Sequence, residues 1–125
     1  VLCFDRSHLR QVLWNLVANA VRHSRGLPGS VGLHAHAGAD PRQVELHVID
    51  DGPGVPAEIR GQVFEPFFTT RASGTGLGLV IARELCEANG ASLELGPEVD
   101  CGHFIVSGRY DTCQQEGPNA GFAAN

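Results

Sequence analysis

The first part of the chain carries an apolar pattern that an α-helix can place on one side. Apolar side chains recur three and four positions apart, and this spacing lines them up along a single helix face. Asp5 precedes the pattern and is a good N-cap, so the sequence predicts a helix from Asp5 to about Ser24. The apolar positions are Leu9, Val12, Leu13, Leu16, Val17 and Ala20. This helix must therefore border a packed core on one side.

The segments that follow alternate apolar and polar residues, as half-buried β-strands do. Val31 to Ala37 and Val44 to Val48 show this alternation, and turn residues lie between them, so we predict an antiparallel hairpin. A second helix is predicted from Leu77 to Asn89, and Gly90 ends it. Further strands are predicted near 1–4, 91–95 and 103–110. This order of elements indicates an α/β domain.

The composition limits the number of domains and the classes of partner. A chain of 125 residues, 42% of them hydrophobic, can form one domain with a core and has no room for a second. We assign residues 1–110 to this domain and expect residues 111–125 to form a flexible tail. The net charge of -5 argues against nucleic acid as a partner. No segment is long and apolar enough to span a membrane, so no direct membrane contact is expected.

A polar stripe runs along the first predicted helix beside its apolar face. Asn15 and Asn19 lie one helical turn apart, and Arg22 and His23 follow after another turn. Carboxamide oxygens suit a hard cation such as Mg²⁺, and arginine suits phosphate. An isolated stripe of this kind is usually a solvated helix face, so it indicates a nucleotide–metal site only together with other motifs.

Two glycine clusters lie where the chain leaves a strand or enters a helix. Asp50 follows the second predicted strand, and Gly52 and Gly54 let the backbone approach a flat ring without a Cβ clash. The Asp50 carboxylate can accept a hydrogen bond from an exocyclic amine such as that of adenine. The segment from Gly74 to Gly78 precedes the second helix, whose N-terminal N–H groups favour an anion. Lysine is absent, so a P-loop is excluded.

Four motifs in this order resemble those of a known family. They are similar to the N, G1, F and G2 boxes of the catalytic and ATP-binding domain of bacterial sensor histidine kinases. The matching segments are Asn15-Leu-Val-Ala-Asn19 with His23-Ser24, Asp50-Asp-Gly-Pro-Gly54, Phe64-Glu-Pro-Phe-Phe68 and Gly74-Thr-Gly-Leu-Gly78. The resemblance covers about Val1 to Tyr110. The segments 11–15, 66–70 and 82–90 are most similar to nitrogen-regulation-type kinases, in particular the sensors of type IV pilus genes.

The resemblance implies a fold of the Bergerat, or GHKL, type. This fold is a two-layer α/β sandwich in which a mixed, mostly antiparallel sheet carries helices on one face and ATP lies under a lid. Gyrase, MutL and Hsp90 are similar, but in those ATPases a glutamate stands four residues before the metal-binding asparagine and activates water. Here that position is Asn15, which cannot accept a proton at neutral pH. The resemblance therefore favours phosphoryl transfer over ATP hydrolysis.

The resemblance also implies ATP and Mg²⁺ as ligands and a role for each matching residue. Asn19, with Asn15, would bind Mg²⁺, while Arg22 and the lid residue Arg71 would contact phosphate; these four are the expected catalytic residues. Asp50 would select adenine. The other expected nucleotide contacts are His23, Gly52, Gly54, Phe64, Gly74, Thr75, Gly76, Leu77 and Gly78.

The phosphoacceptor motif of the family is missing, since none of the six histidines has its sequence context. The resemblance therefore implies two partners: a histidine-bearing dimerisation domain of the parent kinase and a response regulator. The domain is expected in the cytoplasm and the parent protein in the bacterial inner membrane. A nucleotide-binding or docking module without kinase activity and a GHKL ATPase are the alternative functions.

Simpler interpretations stay open for some of these residues. Phe64 fits a core position as well as a lid, and Arg71 fits a solvated side chain. His34, His36 and His47 alternate along the predicted strands and share the polar face of the sheet. A zinc site there is disfavoured because no cysteine or carboxylate cluster accompanies them. His103 is bulky for the last box, where relatives have a small residue.

Overall fold

Two helices cover one face of a four-stranded sheet in residues 3–68 and 76–109, the part of the chain that the computed structural model describes. Helix α1 is Arg6–His23 and α2 is Gly78–Ala88. The strands are β1 Val31–Ala37, β2 Gln43–Asp50, β3 Ser92–Leu95 and β4 Gly102–Arg109, and a short 3-10 helix is Ala57–Ile59. The predicted tail, 111–125, lies outside the described residues.

Local signals set the ends of the helices. The Asp5 carboxylate accepts a hydrogen bond from the His8 backbone N–H at 3.0 Å, so Asp5 is the N-cap that the sequence predicts. The chain after α2 turns at Gly90, whose φ of 71° favours glycine. The cap at Asp5 and the turn at Gly90 are local features, which explains why both helices match their predicted positions.

The strands follow the order β1-β2-β4-β3, and every pair among them is antiparallel. The predicted β1–β2 hairpin is confirmed, with Val31 opposite Asp50. Hairpin connections at 38–42 and 96–101 make β1–β2 and β3–β4 antiparallel. The β2–β4 pair is antiparallel as well, so the mixed character implied by the resemblance is absent from the described strands. Residues 3–5 do not form a strand, although the Cys3 N–H donates to the Arg109 carbonyl at 2.8 Å.

The core lies between the helices and the sheet. Alternation along each strand sends apolar side chains to the helix-covered face and polar ones to the other. The buried core side chains are Val12, Leu16, Ala20, Val48, Ala82, Cys86, Leu93, Phe104 and Val106. The opposite face carries the histidines of β1, β2 and β4. This packing fixes α1 across the sheet and brings Asn15 of its polar stripe to Gly78 at the start of α2.

Truncating a core leucine should cost far more stability than truncating a surface one. Leu16 is 0% exposed, so Leu16→Ala leaves a cavity and should lower the free energy of unfolding by about 3 kcal/mol. Leu27 is 62% exposed, so Leu27→Ala removes the same atoms with little loss of packing. Denaturant unfolding of both variants measures the difference. Equal losses would mean that α1 does not pack as described.

Candidate functional site

Asp50 lies at the end of β2 and is only 4% exposed. One carboxylate oxygen, Oδ1, accepts a hydrogen bond from the Gly52 N–H at 2.8 Å. Gly102 of β4 is opposite Asp50, and a Cβ on Gly102 would overlap its Oδ2. The carboxylate therefore rests against bare backbone, and the absence of a side chain at 102 is what leaves room for it.

The turn after Asp50 is held by two other elements. A Cβ on Gly52 would overlap the carbonyl oxygen of His23, at the end of α1. Gly54 has a φ of +79°, and a Cβ there would lie 2.5 Å from the Val99 carbonyl oxygen, which is too close. Glycines are required here because the backbone of α1 and of the loop 96–101 approaches too closely for any side chain.

The last turns of α1 carry three of the predicted site residues. The His23 ring nitrogen Nδ1 lies 2.9 Å from the Asn19 carbonyl oxygen, so this ring folds back on its own helix. Arg22 is exposed in the final turn. Within residues 3–68 and 76–109, the Asn19 carboxamide makes no hydrogen bond, and so its oxygen is available to a ligand.

Asn15 connects the two helices. Its Nδ2 donates to the Gly78 carbonyl at 3.0 Å, and its Oδ1 accepts from Gln11 Nε2 at 2.8 Å. The predicted site thus gains Gln11, which lies outside the four boxes and was not among the predicted site residues. Its position one turn before Asn15 was the available signal, but only the fold shows that the Gln11–Asn15 pair reaches the start of α2.

The chain before α2 is tied to the end of the F box. The Phe67 N–H donates to the Gly76 carbonyl at 2.8 Å, and a Cβ on Gly76 would overlap the Phe67 backbone. Leu77 is the N-cap of α2, but its side chain makes no capping bond, and the first turn of α2 contains no acidic residue. The N-terminal N–H groups of α2 therefore keep their attraction for an anion.

The F-box phenylalanines divide between core and surface. Phe64 packs against the core with its ring edge-on to Phe104 at 6.1 Å, and the Arg83 guanidinium lies 4.9 Å from the Phe64 ring centre. Phe67 is 73% exposed and has a φ of 67°, which is unusual for a residue with a side chain. The predicted site residues Arg71, Gly74 and Thr75 lie outside the described residues.

Two of the histidines on the sheet face, His47 and His103, bond to one another and to glutamates. His47 contacts His103 and Glu45, and His103 also contacts Glu98. Across residues 3–68 and 76–109, no three histidine, cysteine or acidic side chains converge as metal ligands. The bulky His103 is thus directed to the sheet face away from the helices, next to His47.

Asn15→Asp should destabilise the link between the helices. An aspartate oxygen would replace the Nδ2 donor and face the Gly78 carbonyl, so the 3.0 Å bond becomes a contact between two acceptors. We expect a loss of about 1–2 kcal/mol in the free energy of unfolding at pH 7. Gln62→Glu, the same chemical change at an exposed loop position, is the matched control. Equal stability of the two variants in denaturant unfolding would contradict the link.

The chain matches a known protein family over most of its length. A family model for histidine kinase-, DNA gyrase B- and HSP90-like ATPases matches residues 4–115. The chain belongs to this family. Members of this family that are similar to the chain include sensor histidine kinases. The resemblance drawn from the four boxes is therefore confirmed.

Two curated relatives and one solved structure illustrate the similarity. The sensor protein kinase PilS of Pseudomonas aeruginosa is 49% identical over 92 residues, which make up 72% of this chain and 17% of PilS. The nitrogen regulation protein NtrY of Azorhizobium caulinodans is 35% identical over 96 residues, or 74% of this chain and 12% of NtrY. The structure of full-length ShkA in complex with AMPPNP has a TM-score of 0.68 and 35% identity, over 81% of this chain and 21% of ShkA.

These matches confirm the α/β fold of the GHKL type and the nitrogen-regulation-type resemblance. They also identify the chain as an ATP-binding domain of the kind found in sensor histidine kinases. The chain spans less than a fifth of the length of either curated relative. In the described ranges, no helix is long and apolar enough to cross a membrane.

Proposed function

We propose that this domain binds ATP with Mg²⁺ and donates the γ-phosphoryl group to a histidine on a separate dimerisation domain. The phosphoryl group would then pass to an aspartate of a response regulator. The observation that carries the proposal is the buried Asp50 carboxylate, enclosed by backbone at Gly52 and Gly102 and lying at the end of a strand beside α1.

Asp50 is suited to select adenine. A buried carboxylate without a cation partner is costly unless hydrogen-bond donors reach it. The Gly52 N–H supplies one donor at 2.8 Å, and an exocyclic amine of a bound base would supply another. The turn at Gly52 and Gly54 packs closely on the backbone of His23 and Val99, which fixes the position of the Asp50 carboxylate at the end of β2.

The start of α2 is suited to hold phosphate. Its first-turn N–H groups have no side-chain cap, and the helix dipole adds partial positive charge there. Arg22 in the last turn of α1 supplies a guanidinium that can bind two phosphate oxygens. Arg71, Gly74 and Thr75 are proposed to complete the phosphate contacts, as the resemblance implies. Leu77 and Gly78 contribute through their backbone.

Asn19 is the residue that best fits a Mg²⁺ ligand. Its carboxamide makes no hydrogen bond within the described ranges, whereas both polar atoms of Asn15 are engaged by Gln11 and Gly78. Oxygen ligands are what Mg²⁺ prefers, and it usually keeps several waters and phosphate oxygens beside one or two protein ligands. When bound, the ion would neutralise charge on the phosphates. We propose Asn19 as the first ligand and Asn15 as the residue that positions α2.

The site is built for transfer to an outside nucleophile and not for hydrolysis. Asn15 occupies the position of the water-activating glutamate of the related ATPases, and a carboxamide cannot take a proton at neutral pH. Phosphoryl transfer depends mainly on alignment and charge neutralisation, which the described residues can supply without a base. The γ-phosphoryl group would therefore persist until an imidazole of the partner domain arrives.

Mixing the domain with ATP, Mg²⁺ and a separately made histidine-bearing domain tests the proposal. Acid-labile, base-stable phosphate should appear on the second domain and not on this chain. Tight nucleotide binding without transfer would instead leave a nucleotide-binding module. Steady release of inorganic phosphate by this chain alone, lost in Asn19→Ala, would mean an ATPase.

We further propose that the parent protein is an inner-membrane sensor that presents this domain to the cytoplasm. The proposal is supported by the similarity to PilS, a sensor protein kinase, and by the small fraction of that protein which this chain spans. Cell fractionation of the full-length parent, with antibody to this domain, tests the location. Recovery in the soluble fraction would contradict it.

A further inference from the structure

Four ionisable side chains form a continuous chain on the sheet face that the helices leave uncovered. His47 Nδ1 lies 2.7 Å from His103 Nε2, and His47 Nε2 lies 2.9 Å from Glu45 Oε1. The other nitrogen of His103, Nδ1, contacts Glu98 Oε1. Strands β2 and β4 bring the two imidazoles together, and the loop 96–101 brings Glu98 over His103. We call these residues the Glu–His–His–Glu chain.

The number of protons in this chain follows from its three contacts. The two contacts of His47 have hydrogen-bond length and the His103–Glu98 contact is closer still, so each of the three needs one proton between its two atoms. Two neutral imidazoles carry one proton each, and two ionised carboxylates carry none. Two protons cannot serve three contacts, so in the neutral arrangement two lone pairs would face each other, either between the two imidazoles or between an imidazole nitrogen and a carboxylate. A third proton, which makes one imidazole an imidazolium, satisfies all three contacts.

The surroundings favour keeping this third proton. His103 is 8% exposed and its ring is covered by the backbone of Gly96, so an unmatched lone pair there would have no water to bond. The His103 hydrogen bond lowers the pKa of Glu98, which keeps this carboxylate ionised at neutral pH. Two carboxylates flank the pair directly, so their charge attracts an imidazolium.

Other charged groups also face the imidazoles. The His36 ring of β1 is edge-on to His47 at 4.7 Å, and His34 is opposite His47 in the register; both are exposed. On β3, the exposed Glu94 is one strand from the pair, and Asp100 lies in the loop above. Arg60 donates to the carbonyls of Gly96 and Glu98, so its charge is directed at the loop backbone. The nearest groups to the pair are therefore two acids and one exposed imidazole.

We propose that the Glu–His–His–Glu chain is a binding site for one proton, which holds the loop 96–101 against the sheet at neutral pH. The proton links Glu98 of the loop to His47 and Glu45 of β2 through His103. Its loss breaks one of the three bonds. The same loop packs on Gly54, and β4 begins at Gly102 beside Asp50. The loop 96–101 therefore borders both the proton site and the proposed adenine site.

The substitution Glu45→Gln tests the proton count without breaking the chain. The amide of glutamine can donate to His47 Nε2, His47 Nδ1–H can then donate to His103, and His103 Nδ1–H can donate to Glu98. All three contacts are satisfied with neutral imidazoles, so the variant should no longer need the third proton. Glu94→Gln is the matched control, because it removes an acid from the same sheet face without touching the chain.

Imidazole ¹H–¹⁵N correlation spectra of the domain at pH 7.5 give the direct readout. A pH of 7.5 lies about one unit above the ordinary histidine pKa of about 6.5, so the spectra separate a proton held by the chain from ordinary titration. The parent and Glu94→Gln should each show one imidazolium assigned to the His47–His103 pair, and Glu45→Gln should show none. Two neutral imidazoles in the parent, or an imidazolium that survives in Glu45→Gln, would overturn the proposal.

The pH dependence of folding gives a second readout. Above about pH 7 the unfolded histidines are neutral, so the folded state holds one proton more than the unfolded state. Stability should therefore fall as pH rises, and the unfolding equilibrium constant should increase up to about tenfold per pH unit until the proton leaves. Glu45→Gln should lack this slope between pH 7 and 8.5. Identical slopes in the parent and Glu45→Gln would count against the site.

Nucleotide affinity gives a readout that also rests on the proposed function. Binding of AMPPNP should weaken between pH 7 and 8.5 more in the parent than in Glu45→Gln, because the loop beside Gly54 loosens only in the parent. If neither protein binds the nucleotide at all, the proposed function fails while the spectra still decide the proton site. If both bind with the same pH dependence, the proton does not act on the nucleotide site.

Discussion

Asp50→Asn should weaken the binding of an ATP analogue by about 10- to 100-fold, since an unmatched buried polar group costs on the order of 1–3 kcal/mol. The Gly52 N–H keeps the asparagine oxygen in the place of Oδ1. The asparagine NH₂ then takes the place of Oδ2 and would face the adenine amine, so two donors meet where a donor and an acceptor met before. Isothermal titration calorimetry measures the change.

The matched control is Asp51→Asn, the same change one residue further along. The Asp51 carboxylate accepts from the Arg25 N–H at 2.9 Å and the Ser30 hydroxyl at 2.8 Å, and these bonds lower its pKa. It therefore holds the loop after α1 and is not directed at the proposed adenine site. The affinity of the Asp51→Asn variant for the ATP analogue should equal that of the parent. Equal losses in the two variants, or none in Asp50→Asn, would remove Asp50 from the site.

Asn19→Ala should reduce Mg²⁺-dependent phosphoryl transfer to the separate histidine domain by on the order of 100-fold, in line with the loss of a group that holds a metal in place. The physical reason is that the substitution removes the Asn19 carboxamide oxygen. Among the described residues, no protein group bonds to this oxygen, whereas Asn15 on the same helix face is bonded to Gln11 and Gly78. A Mg²⁺ titration of the transfer rate measures the effect. Since Asn19 makes no described side-chain bond, the thermal midpoint of unfolding should change little.

Asn15→Ala is the informative comparison, because it removes the same group one turn earlier. It breaks the bonds to Gln11 and Gly78, so it should lower the thermal midpoint while the Mg²⁺ concentration at half-maximal rate stays close to that of the parent. A shift of the Mg²⁺ dependence equal to that of Asn19→Ala would make both asparagines ligands. No shift in either variant would contradict the proposed metal site.

Local elements of the fold were predictable from sequence. The helix from Asp5, the β1–β2 hairpin and the stop at Gly90 depend on capping, alternation and turn residues that lie within a few positions of each other. The four boxes likewise identified the family, because short spacings within each box carry the match. The roles assigned to Arg71, Gly74 and Thr75 stay predictions, since these residues lie outside the described ranges.

Other features depended on the register between distant segments. The Asn15 carboxamide meets a carbonyl 63 positions away, and its use as a bond between helices follows from how α1 crosses α2. The fully antiparallel pairing and the partial burial of Phe64, in contrast to the exposed Phe67, depend in the same way on packing. No pattern within one segment specifies the partner of a side chain in another.

The sequence by itself determined the α/β class, the family and the turn that follows Asp50, because those features depend on residues close together in the chain. Only the tertiary structure decided that Gly102 makes room for the Asp50 carboxylate and that His47 meets His103 across 56 positions. The physical reason is that hydrogen bonds and close contacts form between surfaces, and two surfaces are matched only when the whole sheet adopts one register.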